Sequence, residues 1–183
     1  MKQATSAILA MLSLSLIAAC GDAGTEEDAG PPAPTMASLG TAEVVISALD
    51  STTARLDDGG AVSMNGTRMA LLAAYTAVGD YDSDGEMERA ALVTAEPGGD
   101  AVWMNLVGFR LDDAGTVQVA DKFLGDGPEI HRFETVGDSL LIEITSADRR
   151  AQQIYRIEDG TWRLWRDNTI TSPPAGGSSA SSS

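Results

Sequence analysis

Apolar and polar residues alternate in short runs along most of this chain. Leu140, Ile142 and Ile144 interleave with Leu141, Glu143 and Thr145, the period of two of a strand with one buried face. Residues 101–111 (AVWMNLVGFRL) are denser. Met104, Leu106 and Gly108 fall on one side, and Trp103, Asn105, Val107 and Phe109 on the other. Both faces are apolar, so this strand is expected at the centre of the fold. Further strand-like runs cover residues 90–95, 116–123, 130–135, 139–145, 152–157 and 161–165. Asp/Gly turns separate them, among them Asp57-Asp58-Gly59-Gly60, Asp112-Asp113-Ala114-Gly115 and Glu158-Asp159-Gly160. Short strands at such spacing predict an all-β domain, an antiparallel meander forming a small sandwich or partly open barrel. The front reads two ways. Residues 41–49 (TAEVVISAL) suit a strand or a short helix. Residues 69–77 (MALLAAYTA) have helical propensity, although Tyr75 to Val78 is expected to enter the fold as strand. No full unit repeats, which argues against a propeller.

The two ends change the picture. Residues 7–19 (AILAMLSLSLIAA) follow a short n-region containing Lys2. This apolar run is shorter than the roughly 20 residues of a membrane span and has the length of a signal-peptide h-region. It ends in Ile17-Ala18-Ala19-Cys20, which resembles the lipobox of bacterial lipoproteins. The resemblance implies cleavage before Cys20 and a lipidated Cys20 as the membrane anchor. Gly21, rather than aspartate, follows it, which implies outer-membrane sorting in a Gram-negative envelope. Cys20 is the single cysteine, so an intrachain disulfide and a cysteine-ligated metal are both excluded. The expected organisation is a signal peptide over 1–19, an acidic Pro/Gly-rich tether over 20–38, a β-rich globular domain over 39–171 and a disordered Ser-rich tail over 172–183.

Charge narrows the partners. Twelve Lys+Arg stand against 27 Asp+Glu, a formal net charge of −15. Nucleic-acid binding rests on cations that neutralise phosphates, so no nucleic-acid partner is expected. The expected partners are the membrane, through Cys20, and an unidentified envelope protein or glycan.

Residues 80–88 (DYDSDGEME) carry the candidate chemistry. Asp80, Asp82 and Asp84 at alternate positions, then Gly85, let the chain wrap three carboxylates around one point. A hard cation wants oxygen donors, and Ca2+ accepts six to eight of them in flexible geometry. Glu86 is expected to offer its backbone carbonyl, and Glu88 its carboxylate, directly or through a water. Mg2+ suits the loop less, because it demands a stricter octahedron. The twelfth loop position is Ala91, where an EF-hand needs a bidentate Glu, and the residues that follow are strand-like. The pattern D-x-D-x-D-G-x-x-E before a strand resembles the calcium loop of FG-GAP or integrin-type repeats. Those usually read D-x-N-x-D-G-x-x-D, and the replacements at Asp82 and Glu88 keep an oxygen donor. The competing reading is a solvated acidic turn, although acids crowded beside only Arg89 repel one another without a cation.

The order of features is similar to a group of bacterial lipoproteins of uncharacterised role. Their GDLDGDGxxDAAV run, GGSG-like turn, apolar strand and LGD correspond here to residues 79–92, Glu96-Pro97-Gly98-Gly99-Asp100, residues 101–109 and Leu124-Gly125-Asp126. That resemblance bears on fold and location and implies no activity. An enzyme is not the favoured reading. The single histidine, His131, is expected as a surface strand residue, and the chain has no nucleophile elbow, zinc-protease motif, P-loop or dinucleotide fingerprint. A carboxylate-dependent envelope hydrolase is the alternative. Trp103, Trp162 and Trp165 suit either the core or a sugar or peptide groove. Trp162 and Trp165 fall on opposite strand faces, so one is expected exposed.

Overall fold

The computed structural model describes residues 32–147 and 149–170. The signal segment, Cys20, most of the tether and the serine tail lie outside the described residues. The fold is all-β and antiparallel, as the alternation predicts. After a single helical turn, α1 (Met36–Leu39), come β1 (Glu43–Ile46), a 3-10 turn (Ser47–Leu49) and β2 (Thr52–Arg55). A meander of five strands follows: β3 (Gly60–Val62), β4 (Arg68–Gly79), β5 (Glu88–Gly98), β6 (Ala101–Asp112) and β7 (Gly115–Asp126). A second meander of four completes the chain: β8 (Glu129–Val136), β9 (Ser139–Ser146), β10 (Arg149–Glu158) and β11 (Thr161–Thr169).

The five-stranded sheet is the middle layer, and its central strands β5 and β6 are buried on both faces. Ala90, Leu92, Met104 and Leu106 pack against Ile142, Tyr155, Ile157 and Trp162 of the four-stranded sheet. Ala91, Val93, Val107 and Phe109 point the other way, onto Leu39, Val44, Ile46 and Leu56 of the N-terminal segment. The two-sided pattern of residues 101–111 therefore has its cause: β6 lies between β5 and β7 and between two cores. The β1–β2 hairpin is fastened to β7 by side chains. Gln118 accepts the Val45 N–H at 2.8 Å and donates to its carbonyl at 2.9 Å. Asp121 takes the Ser47 N–H at 2.9 Å and its hydroxyl at 2.8 Å.

Residues 69–77 are strand throughout, against their helical propensity. Pairing with β3 and β5 decides the outcome, because a helix there would leave the ladders of both neighbours unpaired. The register slips between Leu72 and Thr76, so three consecutive β4 residues lack a partner. The slip swaps faces: Met69 and Leu71 serve the outer core, while Tyr75 and Ala77 serve the core between the sheets. With two further register shifts between β6 and β7, it curls the sheet into a half-barrel. Residues 41–49 divide between the two readings, a short strand followed by the 3-10 turn.

Gly79, the last residue of β4, sits where the sheets approach. A Cβ there would lie 2.8 Å from Tyr81 Cε1 and 2.9 Å from Thr135 Cγ2. Gly79→Ala is therefore expected to destabilise the fold by about 1–3 kcal/mol through overpacking. A lower urea midpoint at unchanged slope is the signature. An unchanged midpoint would show that the sheets do not meet there.

Candidate metal centre

The acidic loop joins β4 to β5. Ser83 (φ 63°) and Gly85 (φ 89°) adopt left-handed backbone, which folds the loop back over itself. Its carboxylates then accept the loop's own N–H groups. Asp82 Oδ1 takes Asp84 N–H at 3.1 Å, Asp80 Oδ2 takes Gly85 N–H at 3.1 Å, and Asp84 Oδ1 takes Glu86 N–H at 2.8 Å. These short-range bonds are the usual turn chemistry of aspartate.

Glu88 opens β5 opposite Gly79 and is fully buried. Its Oε2 accepts the Tyr81 backbone N–H at 2.7 Å. Asp80, Asp82 and Glu88 each bring one carboxylate oxygen within 4.8 Å of the others. Asp80 Oδ1 and Glu88 Oε1 are buried and have no hydrogen-bond partner among the described residues. Burial pushes the Glu88 carboxyl up to about 7; repulsion from Asp82, Asp84 and Asp80 adds to the rise, and the Tyr81 N–H opposes it. Partial desolvation, with Asp84 and Asp80 alongside, also raises Asp82. Buried carboxylate oxygens without donors are costly, and a cation bound between them removes the penalty. This cluster of acids could hold a metal ion.

The five sequence candidates separate into two groups. Asp80, Asp82 and Glu88 converge. The side chains of Asp84 and Glu86 turn to Arg110 on β6, whose guanidinium lies 3.2 Å from Asp84 Oδ2 and 3.4 Å from Glu86 Oε2. Arg89, the nearest cation in sequence, donates instead to the Pro34 carbonyl at 2.5 Å. Arg110 is the residue that local reading missed, since only the pairing of β5 with β6 brings it to the loop. Cys20, the remaining candidate, lies outside the described residues.

The loop is tied to the second sheet through Tyr81. Thr135 Oγ1 donates to the Val78 carbonyl at 2.7 Å, so the Tyr81 hydroxyl, 2.6 Å from Thr135 Oγ1, is the donor of that pair. Burial pushes the Tyr81 phenol up to about 12, which keeps this proton in place. The Tyr81 carbonyl accepts the Ile157 N–H at 2.9 Å, and its ring lies 5.2 Å from that of Trp162. His131 is away from this centre, exposed on β8 and 2.9 Å from Thr145 Oγ1. Trp162 is core, Trp103 packs on Phe123 and Trp165 is exposed.

The chain matches no protein-family model, no curated protein and no solved structure.

Tyr81→Phe removes one buried donor while Thr135 keeps its bond to Val78. A loss of about 0.5–1.5 kcal/mol is expected in chemical denaturation. Full stability in the variant would show that the hydroxyl does not join the sheets.

Proposed function

We propose that this protein is a membrane-anchored envelope lipoprotein whose β domain binds calcium structurally and serves as a binding or scaffolding module. The observation that carries the cation is the pair of buried, donor-less oxygens on Asp80 and Glu88 converging with Asp82. Three carboxylates form a hard, all-oxygen donor set, and a loop closed by its own backbone bonds suits the flexible coordination of calcium better than the octahedron of magnesium. Backbone carbonyls and water fill the remaining positions, and Arg110 balances the charge of Asp84 and Glu86. Glu88 faces the aspartates rather than an open cleft, which favours a structural ion over carboxylate-dependent hydrolysis. The envelope location rests on the lipobox resemblance at Ile17-Ala18-Ala19-Cys20.

Extracellular calcium modules bind with dissociation constants of about 10⁻⁴–10⁻³ M. At tenfold excess, linkage gives roughly 1.4 kcal/mol. Thermal melting is therefore expected to rise by a few degrees in calcium over chelator, and less in magnesium. The double substitution Asp82→Asn with Glu88→Gln is expected to abolish the response. Equal melting of the unaltered protein in calcium and in chelator would reduce the loop to an acidic turn.

The anchor has its own test. Cys20→Ser is expected to eliminate labelling by a palmitate analogue and to release the chain from the membrane fraction. Labelling that persists in the variant would overturn the lipoprotein reading.

A further inference from the structure

Half of the chain's twelve lysines and arginines lie on the four-stranded sheet: Arg132, Arg149, Arg150, Arg156, Arg163 and Arg166. Four of them have carboxylate partners. Arg132 pairs with Glu134 and Arg149 with Asp167, both at 2.5 Å, Arg150 pairs with Glu143, and Arg156 pairs with Asp138 at 2.7 Å. Arg163 and Arg166 are exposed and enter no ion pair among the described residues.

The geometry of β11 brings these two together around an aromatic ring. Arg163 pairs with Arg156, and Arg166 with Ile154, while Leu164 pairs with Tyr155. Tyr155 is in the core between the sheets, so Ile154 and Arg156 face outward. Residues opposite each other across a ladder share a face, so Arg163 and Arg166 face outward as well. In an unbroken strand, residues three apart would point to opposite faces. Trp165 is the extra residue of a β-bulge, and the bulge restores both arginines to one side. Trp165 takes the same side, because its ring lies over the Arg156 guanidinium, 4.7 Å from centroid to carbon. Arg156 is held in turn by Asp138 and by the Ser139 hydroxyl at 2.9 Å. The indole thus rests on a fixed cation and is still 57% exposed.

We propose that Arg163, Trp165 and Arg166 form a binding site for an acidic oligosaccharide, with a sugar ring stacked on the indole and anionic groups taken by the flanking guanidinium groups. This rests on the reading of the domain as a binding module, and on neither the cation nor the anchor. Guanidinium groups bind carboxylates and sulfates in bidentate fashion, and an indole ring offers an apolar plane to the C–H face of a sugar. A peptide strand fits less well, because the bulge interrupts the edge ladder that strand addition needs. A nucleic acid requires a continuous track of cations, whereas on this face only Arg163 and Arg166 lack an ion pair among the described residues, on a chain of net charge −15.

The test uses the full-length protein and three polymers in low salt: polygalacturonate for carboxylates, dextran sulfate for sulfate esters, and neutral dextran. Calorimetric titration is expected to show saturable binding to at least one anionic polymer and none to dextran, and the polymer that binds identifies the acidic group. Arg163→Gln with Arg166→Gln is expected to weaken binding at least tenfold, and Trp165→Leu also to weaken it. The melting temperature and its calcium response should stay unchanged in both, which separates loss of this site from loss of fold or cation. Absence of binding to either anionic polymer would overturn the proposal. So would unweakened binding by the double variant, or equal affinity for a single-stranded oligonucleotide or for polyglutamate.

Discussion

The hydrogen bond from the Tyr81 backbone N–H to the buried Glu88 carboxylate joins the acidic loop to the space between the two sheets. Once that N–H is fixed, the rest of Tyr81 has little freedom. Its carbonyl meets Ile157 on β10, its hydroxyl meets Thr135 on β8, and its ring packs on Trp162 of β11. One loop residue therefore contacts three strands of the opposite sheet, and the absent side chain at Gly79 leaves room for the ring. The same carboxylate that anchors the loop is desolvated and crowded by acids. A single hydrogen bond satisfies one of its oxygens and leaves the other without a donor. Anchor and electrostatic penalty reside in one group, so a cation there would act on loop closure and sheet packing together, the usual coupling of ion binding to folding.

Arg110 explains how five acids fit into nine residues. It draws Asp84 and Glu86 outward, so the loop does not have to gather all its charge at one centre. Three inward carboxylates suffice for a divalent ion, and the outward pair stays on a guanidinium that is itself about a third exposed. Such a half-exposed pair adds little stability of its own. Its consequence is positional, since it separates Asp84 and Glu86 from the three acids that converge.

What was legible in the sequence is what depends on local pattern. Alternation in residues 101–111 identified the central strand, because inward and outward positions each meet a core there. The Asp/Gly clusters marked the hairpins, since residues such as Asp58, Gly59 and Gly160 adopt the left-handed backbone that tight turns need. The acidic loop was visible as a cation candidate, but its division into inward and outward acids was not. That division depends on Arg110, whose distance from the loop in sequence is bridged only by strand pairing. The strand state of residues 69–77 was hidden for a related reason. Their alanines and leucines prefer helix, and partners on both sides override the preference. The slip at Ala73 to Tyr75, which exchanges the faces, leaves no signature in the residues themselves.

The distribution of charge follows from the same layered design. The middle sheet buries both faces of its central strands β5 and β6, and its four cations, Arg68, Arg89, Arg110 and Lys122, lie near strand ends or on the edge strand β7. The four-stranded sheet has one solvated face, and half of the cations are on that sheet's strands. There, four of the six guanidinium groups pair with a carboxylate, two of them on a neighbouring strand. Solvation of a sheet face needs no more than that. It does not require two guanidinium groups that lack an ion pair among the described residues on either side of an exposed indole, nor a bulge that aligns all three. Packing and solubility account for Arg132, Arg150 and Arg156; the arrangement at Arg163, Trp165 and Arg166 is left over after both have been satisfied. Those three side chains are the part of this face to which neither packing nor an ion pair among the described residues assigns a role.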